Sequence, residues 1–405
     1  MAKGQKGLAG KKLDVSALME LIPNEEMEQL ILELEVDKWV KKVKAKPLFK
    51  LVLYSLMQDE RISLRTMEAH FQDPLFQSLA PEADSKKVTW TAIRDRLMKI
   101  DLNFCRRLYE MIYQRTEQLY GAKSLEGYHI KRYDSTMVAT FSYLLEGMKV
   151  GNTHKGKTQV KLTTELTDDF LIQMHFHSDQ AHLGEDIALA EAIGKATHKT
   201  NDIVVFDRGL KSRKFFEHMD QEDTLFVGRL HSNARYEVLH PVWEDDHTQD
   251  TDQVEFIQDS AVYIHGSGRT VVRTKLRLVQ FRLKKDGQLI SLITNVWDLP
   301  ALLIAEIYRS RWDIEVLFRF MKQEMNLSHF VCNDPHAIQV MLYFTMIATM
   351  LVLIYKHGNQ INSYKKAKVR FFKELFYSTL LEVLEDPLQT LEFKQRLILF
   401  IRKLE

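Results

Sequence analysis

The sequence predicts an α/β (α+β) fold: a mixed sheet with helices packed on it, interrupted by an all-β insertion and flanked by helical regions. Three observations predict it. Up to about residue 120, apolar side chains recur at helical spacing. From about residue 125, short apolar runs alternate with helical stretches, the pattern of strand–helix–strand units. Between 230 and 297 the runs read as strands, and helical spacing then returns. The expected regions are 1–120, a core at 121–335 interrupted by 230–297, and 336–405.

The elements follow in order. Met27–Lys42 and Pro47–Gln58 have helical spacing, and Ser63 precedes a third helix as a cap. After a polar link, Val88–Leu97 forms the second helix of a short pair and carries Thr89, Thr91, Arg94 and Arg96. Such a helix fits a DNA groove, and an ordinary hairpin with a solvated basic face fits it equally. Strands are expected at Tyr128–Tyr133, Gln159–Leu166, Leu171–His177, Ile203–Phe206 and Thr224–Val227, with a helix at Gly184–Ala196. The uniformly apolar Ile203–Phe206 run suits a strand covered on both faces.

In the insertion, strands are expected at Arg235–Leu239, Gln253–Ile257, Ala261–Ile264, Thr270–Leu283 and Leu289–Thr294, with a hairpin turn at Asp286-Gly287. Arg273, Lys275 and Arg277 alternate and so share one strand face, either meeting phosphates or facing water. Val340–Tyr355 reads as a buried helix, too short to favour a membrane span. Lys365, Lys366, Lys368 and Arg370 form a basic cluster beyond it.

Composition sets limits. The chain has 405 residues, 45% hydrophobic and 27% charged, enough for two or three domains with their own cores. The net charge of +1 does not mark a nucleic-acid binder, so such a surface must come from local clustering. Cys105 and Cys332 form neither a disulfide framework nor a zinc spacing, and Met1–Lys12 is not a secretory leader. A reducing cytoplasm is the expected location.

Three acids stand at positions suited to chemistry. Asp134 follows an expected strand, and Asp207 follows the apolar strand directly. Glu315 lies in Tyr308-x2-Arg311-x3-Glu315-x6-Lys322. On one continuous helix those four residues fall within a stripe about 60° wide. Two strand-end aspartates and a helical glutamate offer oxygen ligands to a pair of Mg²⁺ ions. Without cations they would repel one another. Taken singly, each Asp also suits a turn or a helix cap, and Glu315 a surface partner of Arg311 or Arg319.

On these residues the sequence resembles DDE transposases of bacterial insertion sequences, in particular insertion sequence family four. Tyr308, Arg311, Glu315 and Lys322 match that family's signature. Leu292–Asn295, Asp207-Arg208-Gly209 and Asp134-Ser135-Thr136 are similar to its other blocks. The likeness covers roughly residues 120–330. It implies an RNase H-like catalytic core carrying Asp134, Asp207 and Glu315 as catalytic residues and ligands of Mg²⁺, with Mn²⁺ as a substitute. It implies nicking at the element's ends and strand transfer by the freed 3′-hydroxyl, through a DNA hairpin in related enzymes.

The same likeness implies double-stranded DNA partners (terminal inverted repeats and target), a homodimer on paired ends, and a bacterial nucleoid setting without a membrane. The N-terminal helices are then the DNA-binding region. Tyr308, Arg311 and Lys322 would contact phosphates, as would Arg208 and Lys155. Some relatives stack an insertion aromatic on a flipped base. Trp297 and Tyr263 are the candidates here, with a core role as the alternative for Trp297. A nuclease that does not join, and a DNA-binding protein without activity, are the competing readings.

Overall fold

The computed structural model describes residues 15–19, 21–22, 24–83, 87–120, 124–139, 148–149, 158–167, 170–242, 250–265 and 271–404. Seven helices come first: α1 (Val15–Met19), α2 (Asn24–Glu33), α3 (Ala45–Gln58), α4 (Leu64–Phe71), α5 (Pro74–Leu79), α6 (Trp90–Leu97) and α7 (Leu102–Tyr120). Then follow β1 (His129–Ala139), β2 (Met148–Lys149), β3 (Thr158–Thr167), β4 (Phe170–His177), α8 (Glu185–Lys195), β5 (Asp202–Phe206), α9 (Arg213–Gln221) and β6 (Leu225–Arg229). Next come β7 (Tyr236–Pro241), β8 (Val254–His265), β9 (Val271–Leu283) and β10 (Leu289–Thr294). The chain continues with α10 (Ala301–Arg309), α11 (Trp312–Glu324), α12 (Pro335–Gly358), α13 (Tyr364–Glu385) and α14 (Pro387–Leu404).

The described residues divide into two units. One gathers the helices within 1–121 and 318–405, so the N- and C-terminal helical regions cluster together. Its centre is α12, apolar around its whole circumference and buried from Val340 to Met350 and on to Tyr355, with Tyr343 half-buried. A helix apolar all round needs partners on every side, and α3, α7 and α13 supply them. Phe49 of α3 meets Phe344 edge-on at 5.4 Å. Asp334 caps α12 through the Ala337 amide at 2.9 Å, with Pro335 in the first turn. Among the described helices α12 alone is long and apolar enough to cross a membrane, and 89% of its apolar window is buried inside the protein.

Several sequence expectations change in this unit. The Met27–Lys42 helix stops at Glu33, because Glu35 and Trp39 adopt positive φ (48° and 63°) and cannot continue it. Thr89 caps α6, its hydroxyl accepting from the Ala92 amide at 3.3 Å. Arg96 is buried and binds the carbonyls of Val43 and Val36 and the Asp37 carboxylate. Lys368 of the basic cluster is also buried. It donates to the Asp59 carbonyl at 3.0 Å and to that of Glu324, while Lys365 pairs with Glu60 and Glu324. Arg96 and Lys368 therefore hold chain segments together.

The second unit is built on a ten-stranded mixed sheet in the order β2-β3-β1-β5-β6-β10-β9-β8-β7, with β4 paired to β3. Strands β1, β5 and β6 are parallel, and β10 joins β6 antiparallel. Strands β10, β9, β8 and β7 therefore extend the same sheet beyond β6. Every residue of β5 is buried. Its side chains alternate between two cores: Val204 and Phe206 pack with α8 and α9, and Ile203 and Val205 pack with α10. The Phe206 ring lies across Gly228 of β6, where an added Cβ would sit 2.2 Å from it.

Two expected strands, Gln253–Ile257 and Ala261–Ile264, are one strand, β8, with register irregularities at Phe256/Gln258 and Val262/Ile264 that absorb the polar break. Gly287 turns the β9–β10 hairpin at φ 70°. Arg277, expected on a wet or phosphate-facing surface, is fully buried and pairs with Asp259. Lys275 is exposed and lies 5.3 Å over the Trp297 ring.

Candidate active site

Strand β1 runs through Asp134 instead of stopping before it. The polar Asp134-Ser135-Thr136 stretch stays in the sheet because Ser135 hydrogen-bonds the Thr163 hydroxyl at 2.9 Å. Asp134 is buried. Asp207 follows β5 directly, as expected, and its Oδ1 accepts from the Gly209 amide at 2.6 Å. The loop beyond is tied to the start of α8, where Asp186 accepts from the amides of Lys211 (2.5 Å) and Ser212 (2.9 Å). That tie brings Glu185, in the first turn of α8, beside Asp207. A Cβ at Gly209 would lie 2.4 Å from Glu185 Oε2 and 2.7 Å from Asp207 Oδ1, so only glycine leaves room for the two carboxylates.

The signature does not lie on one helix. Tyr308 lies in the last turn of α10, Ser310 and Arg311 form a turn, and Glu315 sits in the first turn of α11. Through the turn the backbone bonds shorten to i→i+3, with Arg311 N to Tyr308 O, Asp313 N to Ser310 O and Ile314 N to Arg311 O, each at 3.1 Å. The Ser310 hydroxyl donates back to Ile307 O at 2.7 Å and competes with the helical ladder. The 60° stripe is thus replaced by a bend that aims Arg311 inward. Arg311 donates to Asp134 Oδ2 at 3.4 Å and to Glu315 Oε1, so one guanidinium spans two of the three acids. Its Nε is buried without a partner. Two residues before each of those acids, Arg132 pairs with Asp313 at 2.9 Å and fastens α11 to β1.

The electrostatics are those of crowded negative charge. Burial pushes the Asp134 carboxyl up to about 7, with Asp207 and Glu185 adding to the rise and Arg311 and the Ser135 amide opposing it. Glu185 is also raised, by burial and then by Asp207, against Lys161, Arg311 and Lys211. Burial opposes the charge on Arg311, but Tyr308, Glu315 and Asp134 outweigh it and raise its pKa. Lys161 is depressed by burial and donates to the Leu183 carbonyl at 2.6 Å.

These acids supply hard oxygen donors and a local excess of negative charge, which fits a divalent cation. In the structure the Arg311 guanidinium lies between Asp134 and Glu315. The cluster of described residues whose ligand atoms all lie within 4.8 Å is a different one, His177, His182 and Glu191.

Of the other expected contacts, Arg208 is exposed next to Asp207. Lys322 stands in the last turn of α11, roughly 10 Å along the helix from Glu315. Lys155 lies outside the described residues. Tyr263 and Trp297 are both half-buried. Sequence reasoning missed Glu185, Arg132 and Asp313. It also missed a cavity of about 440 Å³ beside the signature, lined among others by Arg229, Arg309, Arg311, Tyr308 and the exposed Trp312. The Glu185-Asp186 pair at a helix start was the available signal, and it reads equally as helix capping.

A family described as the transposase DDE domain matches residues 130–351, from β1 into α12. A putative transposase, y4zB, of Sinorhizobium fredii is 29% identical over 183 residues, 45% of this chain and 48% of its own. The matched part thus spans about half of that relative's length. A putative transposase for insertion sequence element IS4SA of Synechocystis is 22% identical over 65% of this chain and 72% of its own. Among solved structures, a piggyBac transposase, in a synaptic complex with hairpin DNA, aligns at a TM-score of 0.54 and 12% identity over 98% of this chain and 88% of its own. That likeness establishes the RNase H-like fold. With more than half of its length matched, the chain belongs to the transposase DDE domain family.

Proposed function

We propose that this protein binds the terminal inverted repeats of an insertion sequence and catalyses metal-dependent DNA cleavage followed by strand transfer. The observation that carries this reading is that Arg311 bridges Asp134 and Glu315 while Asp207 stands close enough to Asp134 to raise its carboxyl, so three acids from separate elements share one region. Those three acids would hold Mg²⁺, with Mn²⁺ as a substitute. When bound, such ions activate the attacking oxygen and stabilise the leaving one.

The chain's own residues do the rest. Asp134 is fixed by its strand and by the Ser135 amide, and Asp207 by its turn to Gly209, so neither carboxylate reorganises far on binding. Arg311 exchanges its carboxylate partners for phosphate oxygens, and its unpartnered Nε offers a further donor. Tyr308 adds a neutral hydroxyl donor; Lys322 and Arg208 add charge along the backbone of the DNA. Glu185 crowds Asp207 and raises the local demand for a cation.

A homodimer on paired ends fits the exposed apolar residues Leu384, Leu388, Leu391 and Ile398 on α13 and α14. A cytoplasmic, nucleoid-associated setting follows from a DNA substrate. The hairpin DNA bound by the piggyBac relative suggests the same intermediate here.

The test is incubation of the purified protein with Mg²⁺ and DNA carrying the element's own ends. Cleavage with joining to a target is expected, and Asp207→Asn should abolish both. Cleavage without joining would favour a nuclease, and binding without cleavage would overturn the enzymatic reading.

A further inference from the structure

A second cluster of ligand-type side chains lies apart from the carboxylates. His177 ends β4, His182 lies on the 3₁₀ turn Gln180–Leu183, and Glu191 stands on α8. One ligand atom from each lies within 4.8 Å of the other two. The His177 and His182 rings stack with centroids 4.4 Å apart. His182 Nε2 is 2.5 Å from Glu191 Oε2, and Lys195 pairs with the other carboxylate oxygen. Yet His177 Nε2 and His182 Nδ1 are buried without a hydrogen-bond partner. A buried polar atom left without a hydrogen bond is unfavourable, so two in one cluster point to a missing ligand.

We propose that His177, His182 and Glu191 bind a zinc-type divalent transition ion. Two imidazole nitrogens and one carboxylate oxygen form a donor set that suits Zn²⁺ and disfavours Mg²⁺. Around one tetrahedral ion the ligand atoms stand roughly 3.3 Å apart. The partly exposed side chains of His182 and Glu191 reach that spacing by rotating. The ion ties the end of β4 to the 3₁₀ turn and α8. Helix α8 also carries Glu185 beside Asp207, so the proposed site is a positioning device for that helix, distinct from the carboxylate cluster.

The full-length protein is stripped with a chelator, loaded with Zn²⁺, desalted and assayed for bound zinc. Wild type and Asp207→Asn should each retain a single zinc per chain. His182→Ala and Glu191→Gln should lose retention on the order of tenfold or more, with circular dichroism reporting their folding. Co²⁺ loading should give tetrahedral absorption bands in wild type and Asp207→Asn that Glu191→Gln lacks. Absent retention in wild type, or equal retention in folded Glu191→Gln, overturns the proposal. So does loss in Asp207→Asn with retention in His182→Ala, which would put the zinc among the aspartates. No DNA enters this assay, so its outcome is independent of the transposition reading.

Discussion

Two arginine–carboxylate groups in the sheet unit use the same chemistry for opposite ends. Arg277 on β9 is fully buried and saturated. Its Nε and Nη2 grip both oxygens of Asp259 at 2.9 and 2.6 Å, and Nη1 reaches the carbonyls of Val296 and Leu299. Arg311 is also nearly buried but poorly satisfied. It reaches two different carboxylates, one at 3.4 Å, and its Nε has no partner. Asp207 and Glu185 add negative charge that Arg311 does not cancel. A saturated pair holds structure and has nothing left to offer a ligand. An unsaturated one keeps the capacity to bind cations and phosphate.

The largest expected effect separates the two groups by activity. Glu315→Gln should lower cleavage by roughly 10³-fold or more while folding and DNA binding persist. Loss of the fold in that variant would place Glu315 with the structural arginine's group. The converse applies to Asp259→Ala, which leaves Arg277 buried and unpaired. It should destabilise the protein by about 3–5 kcal/mol in urea unfolding, and the double replacement Asp259→Leu/Arg277→Met should recover much of that loss. A single variant that unfolds at the wild-type midpoint would mean the buried pair contributes little.

A pH series sharpens the contrast. In metal-free protein the Asp134 carboxyl has its folded pKa raised from 3.8 to about 7. The folded state therefore holds the proton more tightly, and stability falls as pH rises from near 4 through about 7. The expected loss is on the order of 1–3 kcal/mol. Asp134→Asn should flatten that slope, and added divalent cation should offset it at pH 8. An identical slope in Asp134→Asn would assign it to other groups. The smallest effect concerns DNA: Arg311→Ala should weaken binding to end DNA and reduce the salt slope by about 1. An unchanged slope would remove Arg311 from the phosphate contacts.

Much of this was legible in the sequence. The apolar Ile203–Phe206 run placed Asp207 at a strand end, and the signature singled out Glu315. What the sequence hid came from contacts between distant segments. Glu185 joins the acids only because Asp186 captures the amides after Asp207. The bend at Ser310-Arg311 arises from a serine hydroxyl that periodicity does not register. Arg277 alternates with Arg273 and Lys275 as a surface residue would, and its burial depends on Asp259 on the neighbouring strand. Charge patterns locate polar residues along a strand, but their burial depends on partners that only the fold supplies.

The most direct measurement is an anomalous-difference map from crystals soaked in Mn²⁺. Density is expected between Asp134, Asp207 and Glu315, with the Arg311 guanidinium displaced from between Asp134 and Glu315. Density confined to His177 and His182, with Arg311 still bridging the two acids, would contradict it.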